Sequence, residues 1–484
     1  MIYDLHKPKG KTQGQNTKKP ESKNYGTLSG RILLLGFGSC GQAILPLLLR
    51  HLTFDIKKLT VIEIGENEKL FKLRYPDINY VKSTIVEENL NEELSKYVGD
   101  DGDFIIDLST DIDAIAITTW CYEHDVMYIN TSLERWKPIV DEVIPKMGER
   151  TLYHAHQQIR KAIASWKKES ATCILVHGAN PGAVSHLTKQ ALLNIVALKK
   201  LNIKTPQTQQ GWARLAQKLK VKAIQISERD TQIIDIPKEV DSFVCTWSPE
   251  GMMAEARAPA EMGYGSHELP TPYNGVVQGG SAYLKQPGCG TLVKGWVPVE
   301  GQYNGFMIQH SEAITISEYF SIGNYRPTVY YCYCAPDCAV NSLFEFRGRE
   351  LDTDTTKRVV KDEILSGMDE LGVLVLCDDI TLWCGSLMSI DNARKLVEHE
   401  TPTTLQVAGS MLGAIVWAIK NPKEGVKEPE DLPFDEIMNV AFEYWAPLVS
   451  VKTDWKPTHD RTLLFPIDLD KENPLRFENF LVED

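Results

Sequence analysis

"LLLGFGSCGQAIL", residues 33–45, decides the fold. A run of leucines ends on three glycines, Gly36, Gly38 and Gly41, and then passes into "QAILPLLLRHL", an apolar helical pattern that tolerates Pro46. G-x-G-x-x-G alone is a weak signal. Here it follows a strand-like run, opens a helix, and precedes a second strand-like run, "KLTVIEIGE" (58–66), in which Glu63 stands twenty-two residues after Gly41. That combination is the pattern of a dinucleotide-binding turn. Gly36 permits the tight turn, Gly38 lets the backbone approach a pyrophosphate, and Gly41 lets helix and strand pack closely. The helix start supplies N–H groups and partial positive charge. Glu63 would accept hydrogen bonds from ribose hydroxyls and repel a 2′-phosphate, so the expected cofactor is NAD rather than NADP.

Outward from this turn the pattern alternates. Residues 78–82 read as a strand, 90–98 as a helix, "DFIIDLST" (103–110) as a strand, the stretch to Trp120 as a helix and "VMYINTS" (126–132) as a strand. Alternation with short connections predicts a doubly wound parallel sheet, here over 28–175. The strand ends would line the same edge as the glycine turn. Expected cofactor contacts are Gly36, Gly38, Ser39, Cys40, Gly41, Glu63, Ser109, Thr110, Asp111, Asn130 and Thr131, with Ala179 and Pro181 from a later loop.

A polar helix is expected over 146–169, then strand, turn and helix in "ATCILVHGANPGAVSHLTKQALLNI". From 221 to about 350 the text alternates at period two with Gly and Pro between runs, which predicts a second α+β domain on a mixed or antiparallel sheet, covering 176–400. A helix is expected at 355–367 and a strand at 371–379. The apolar helix 402–421 is expected to return to the first domain. Residues 1–27 read as a disordered basic tail and 422–484 as a C-terminal extension.

The chain has 484 residues, 43% hydrophobic and 24% charged, with a formal net charge of −13. That balance argues against a nucleic-acid partner and suits a cationic ligand. No apolar run reads as a membrane span and no export signal is evident, so a cytoplasmic protein with reduced thiols is expected. Cys332, Cys334 and Cys338 crowd together in "YCYCAPDC", but without zinc spacing or a nearby His they read as thiols of a core strand, and no metal site is expected.

Opposite the nicotinamide, Asn180 of "VHGANPGAVSH" is either an amide that orients an amine and the cofactor or a helix cap; the sequence leaves both open. Glu228 lies on one strand face with Ile224 and Ile226, and Glu255 stands eight residues after Trp247. A Trp face with carboxylates is what a cationic amine requires, through cation–π attraction of about 0.5–2 kcal/mol and charge pairing. Spacing alone favours a part-exposed Trp and two solvated glutamates.

Several of these stretches together, "GFGSCGQAILPLLLRH", "HGANPGAVSH", "SERDTQ", "VCTWSPEGMMAEARAPAEMG" and "LQVAGSMLGAIVWAIKNP", resemble the bacterial homospermidine synthases, a branch of the saccharopine dehydrogenase-like superfamily. The resemblance runs from about residue 28 to the end. It implies a homodimeric enzyme that joins two putrescine units, or spermidine and putrescine, with NAD as a bound hydride shuttle and ammonia as the by-product. It implies that Asn180 meets the reacting amine, that Trp247 faces the cationic intermediate, and that Glu228 and Glu255 anchor ammonium groups. It adds Glu134, His310 and Asp379 to the pocket. The rival enzyme is an NAD(P)H-dependent reductase that condenses an amine with a carbonyl compound. Such an enzyme needs a cationic clamp for a carboxylate, for which Arg214, Arg229 and Arg257 are candidates. A non-catalytic NAD sensor is the remaining alternative.

Overall fold

The computed structural model describes residues 2–4, 23–136, 146–268, 272, 274–459, 461 and 469–482. Two sheets organise it. The first has seven strands, ordered Asn79–Lys82, Leu59–Glu63, Ile32–Leu35, Phe104–Asp107, Met127–Asn130, Cys173–Ile174 and Val426–Lys427, all parallel. Its first six strands follow the doubly wound order, which reverses between Ile32–Leu35 and Phe104–Asp107. All residues of Ile32–Leu35, Leu59–Glu63 and Phe104–Asp107 are buried. Such continuous apolar runs are what a sheet covered on both faces demands.

One face is covered by the helix Ser39–His51, which packs against the helix Pro402–Lys420 through Ile44, Leu47, Leu48, Leu405, Met411 and Leu412. The late helix therefore lies on the first sheet. It is 19 residues long and apolar enough to cross a bilayer by length and composition, unlike the reading of the sequence, yet its surface is buried in protein. The other face carries the helices Leu90–Tyr97 and Ala114–His124.

The second sheet has eleven strands. Its central strand Val221–Asp230 runs parallel to Thr328–Cys334 and antiparallel to Met368–Cys377. The helix Ala183–Leu198 packs on one face, and Trp455, Phe477 and Phe480 pack on the other. Cys332 is buried within Thr328–Cys334, Cys334 is partly buried, and Cys338 begins the next helix.

Three expectations fail. Residues 355–367 form the strands Thr356–Val359, a ribbon paired with Ser242–Cys245, and Ile364–Ser366, paired with Ile233–Ile234, because Thr355, Thr356, Val359 and Val360 suit a pleated strand. Residues 422–484 are no appendage: Val426–Lys427 closes the first sheet, and Leu448–Thr453 is an inner strand of the second. The N-terminal stretch is not a free tail throughout. Ile2–Asp4 pairs with Leu448–Thr453, and Gly26–Thr27 pairs with Leu52–Thr53. Residues 5–22 lie outside the described residues.

Candidate active site

The carboxyl ends of the first sheet open into a cavity of about 500 Å³. Gly36, Gly38, Ser39, Cys40 and Gly41 form one wall. Gly36 has φ +87°, and a Cβ there would lie 2.7 Å from the Leu108 carbonyl. A Cβ at Gly41 would lie 2.4 Å from the Gly36 carbonyl, whereas one at Gly38 meets nothing within 4 Å. The first and third glycines are therefore required by the protein's own packing, and the second leaves space on the cavity side. Glu63 caps the turn: one oxygen accepts from the Phe37 N–H and the other from the Gly65 N–H at 2.7 Å. Its carboxylate lines the cavity beside Ser83 and Thr84.

The next strand end is organised by Asp107. It accepts from the Ser109 N–H at 3.0 Å, the Ser109 hydroxyl at 2.6 Å and the Tyr128 hydroxyl at 2.8 Å. This shapes the loop that brings Ser109, Thr110 and Asp111 to the cavity, alongside Thr131. Asn130, expected as a cofactor contact, does not line the cavity. It is buried behind the wall, where its side-chain oxygen accepts from the Val176 N–H at 2.7 Å and its carbonyl from the His177 N–H at 2.8 Å. Asn130 thus ties the end of the fifth strand to the segment after the sixth, which leads into the loop carrying Ala179, Asn180 and Pro181, all three of which line the cavity.

The far wall belongs to the second sheet. Glu228 accepts from the Tyr331 hydroxyl at 2.5 Å and from the Asn180 amide at 3.2 Å. Burial pushes its carboxyl above the usual range, against the lowering effect of the Tyr331 hydrogen bond. The helix Pro249–Arg257, capped by Ser248, presents Glu255; Gly251 in its first turn leaves room for the Trp247 ring, whose edge a Cβ would approach to 2.8 Å. His310 joins the Glu255 and Glu312 carboxylates at 3.0 and 3.2 Å and packs on Tyr331 with ring centroids 4.2 Å apart. Burial disfavours its charge, but the two flanking glutamates outweigh burial and hold the imidazole well above its ordinary pKa. Glu134 is positioned by the Ala114 N–H on its carbonyl at 2.9 Å and accepts from the Ser132 hydroxyl at 2.8 Å. Burial raises its carboxyl to about 8.

The residues expected from sequence at 134, 180, 228, 247, 255 and 310 thus converge, although they come from five separate segments. Asp379 does not join them. It stands in the exposed turn between Met368–Cys377 and Thr381–Ser389, paired with Lys199 at 2.6 Å. The family resemblance alone implied it, and the hairpin carries the two acids of "LCDDI" out of the protein. Tyr331, Glu312, Thr403 and Thr404 were not foreseen. Tyr331 lies in a stretch read as core strand, and its pairing with the Glu228 strand is a long-range register that local sequence does not encode.

Six carboxylates line the cavity (Glu63, Asp111, Glu134, Glu228, Glu250 and Glu255) and, among its described lining residues, there is no Lys or Arg. Of the arginines that would clamp a carboxylate, Arg214 is exposed on its helix, Arg229 donates to the Asp230 and Ala335 carbonyls, and Arg257 lines a smaller adjoining pocket. The cavity therefore suits a cationic chain at one end and a dinucleotide at the other.

Comparison with known proteins agrees with this division. Residues 32–174 match the saccharopine dehydrogenase NADP binding domain and residues 178–448 match the saccharopine dehydrogenase C-terminal domain. The chain is 35% identical over 477 residues to a homospermidine synthase of Mesorhizobium japonicum, covering 95% of this chain and 97% of that one. It is 36% identical to a homospermidine synthase of Blastochloris viridis, covering 95% and 99%. The crystal structure of a homospermidine synthase from Legionella pneumophila in complex with NAD superposes with a TM-score of 0.88 at 33% identity, covering 94% of this chain and 98% of that one.

Proposed function

From the premise that this chain belongs to the homospermidine synthase branch of the saccharopine dehydrogenase family, we propose that it joins two putrescine molecules, or spermidine and putrescine, into homospermidine with release of ammonia. The observation that carries the reading is the continuous cavity with a dinucleotide turn at one end and carboxylates without Lys or Arg at the other. NAD fits the glycine wall: Gly38 leaves the approach open, and Glu63, which lines the cavity, would accept from ribose hydroxyls and repel a 2′-phosphate. When bound, NAD supplies a hydride acceptor for the amine-bearing carbon and returns that hydride to the product imine, so no net oxidation occurs.

The chain's own groups do the rest. The substrate enters as a dication, and its reacting ammonium must lose a proton before the adjacent carbon gives up hydride. Glu228, raised by burial, is matched to that proton near neutral pH. Asn180 holds Glu228 at the nicotinamide end. The Trp247 face stabilises the cationic imine. The amine of the second putrescine would add to the imine carbon, and ammonia would leave. His310, held charged between Glu255 and Glu312, keeps Glu255 oriented toward the distal ammonium. Glu134 serves as a second proton acceptor beside it.

A cytoplasmic homodimer acting on small polyamines, not nucleic acid or membrane, completes the reading. The ten free cysteines support a reducing compartment. The test is product analysis by mass spectrometry with putrescine, substoichiometric NAD and no reductant. Homospermidine and ammonia in excess over NAD are expected. Product formed only when a carbonyl compound and NAD(P)H are supplied overturns the reading.

A further inference from the structure

Behind the glycine-turn end of the cleft, where an anion is expected to bind, lies a buried carboxylate. Glu400, 3% exposed, lies just before the helix Pro402–Lys420. One of its oxygens accepts from the Thr404 hydroxyl at 2.9 Å, and Thr404 lines the cleft together with Cys40 and Gly41. Its other oxygen meets Lys361 Nζ at 2.7 Å. Lys361 follows the ribbon, in the turn between Thr356–Val359 and Ile364–Ser366. The same ammonium also donates at 3.3 Å to Gln42, the residue that follows Gly41 in the first turn of the helix Ser39–His51. Three chain segments thus meet at this point: the phosphate-binding helix, the late helix and the ribbon.

We propose that Lys361 and Glu400 form a charge-balanced clamp at the phosphate end of the cleft that sets how long the dinucleotide stays bound. The inference rests on the reading of this cleft as an NAD site. A buried carboxylate beside a diphosphate is repulsive unless it is neutralised. Lys361 neutralises Glu400 and, through Gln42, ties the turn after the ribbon to the phosphate-binding helix. Both charges reach the turn itself. The Cys40 thiol, pushed up to about 11 mainly by burial and pulled down by its contact with Ser39, is raised further by Glu400 and lowered by Lys361. A balanced pair serves an enzyme whose cofactor is reoxidised in place, because a lone cation would hold the diphosphate tighter and a lone carboxylate would expel it.

The clamp has a sign that packing alone does not produce. In Lys361→Met the unpaired Glu400 lies behind the turn that would hold the diphosphate, and NADH release is expected to quicken about tenfold. In Glu400→Gln the unpaired Lys361 attracts it, and release is expected to slow by about threefold or more. The double variant returns to within about twofold of the parent, and Lys361→Arg stays close to it. Stopped-flow displacement of NADH, followed by its fluorescence at low ionic strength, measures all five proteins, with thermal melting to confirm that each is folded. Release rates within twofold throughout, or both single substitutions shifting release in the same direction, overturn the clamp while leaving the NAD site intact. Failure of the unaltered protein to bind NADH removes the cofactor reading itself, and the clamp with it.

Discussion

The two walls of the cavity are built on different principles. The dinucleotide wall is made of backbone: a turn that only glycine can occupy at residue 36, N–H groups at a helix start, and one acid five buried residues along the neighbouring strand. The amine wall is made of side chains from six segments, held by hydrogen bonds among Asn180, Glu228, Tyr331, Glu255 and His310. A backbone site tolerates changes of side chain but not of Cβ. A side-chain site tolerates local backbone adjustment but not loss of one charge partner, because each buried carboxylate leans on its neighbours.

The largest expected effect falls on the amine wall. Glu228→Gln keeps the shape and removes the proton acceptor, so homospermidine formation should drop by about 10²- to 10⁴-fold with the fold intact. In the unaltered protein the raised carboxyl of Glu228 places the acid limb of the activity profile above the range of an ordinary glutamate, with activity rising as pH climbs. A profile limited at pH 4–5, the range of an ordinary glutamate, would break this assignment.

The dinucleotide wall should divide between its glycines. Gly36→Ala is strained by the positive φ and collides with the Leu108 carbonyl, and should cost about 1–3 kcal/mol of stability, read as a lowered Tm. Gly38→Ala meets nothing within 4 Å of the protein, so Tm should hold while NADH affinity falls by about tenfold or more. Equal losses of stability in both would erase the distinction between a glycine the fold requires and one the cofactor requires.

Trp247→Leu removes the ring face and should lower turnover about 3- to 30-fold, with Trp247→Phe retaining part of it. Glu134 gives a smaller effect, on stability. Its folded pKa is about 8 against 4.5, so the folded state holds a proton that the unfolded state has released between those values. The stability it contributes is complete below 4.5 and declines as pH rises through about 8. Glu134→Gln should flatten that decline in a series of melts across pH. Smallest of all is Asp379→Asn: its pair with Lys199 is solvent-exposed, so activity and Tm should stay unchanged, within about 0.5 kcal/mol. A loss of turnover there would return Asp379 to the site.

The sequence by itself determined six of the seven strands of the first sheet, the glycine turn, the identity of Glu63 and the types of residue an amine pocket needs. These rest on short-range physics: period-two and period-3.6 burial, φ at Gly36, and a strand–turn–helix contained in thirteen residues. Tertiary structure decided what long-range pairing decides. The register of Val221–Asp230 against Thr328–Cys334 brings Tyr331 within reach of Glu228, and the ribbon Thr356–Val359 forms only because Ser242–Cys245 lies beside it. Leu448–Thr453 is drawn inside the second sheet, and Asp379 is turned out to solvent by a hairpin. Local propensity is silent on these outcomes, because each depends on a partner strand distant in sequence whose contact outweighs it.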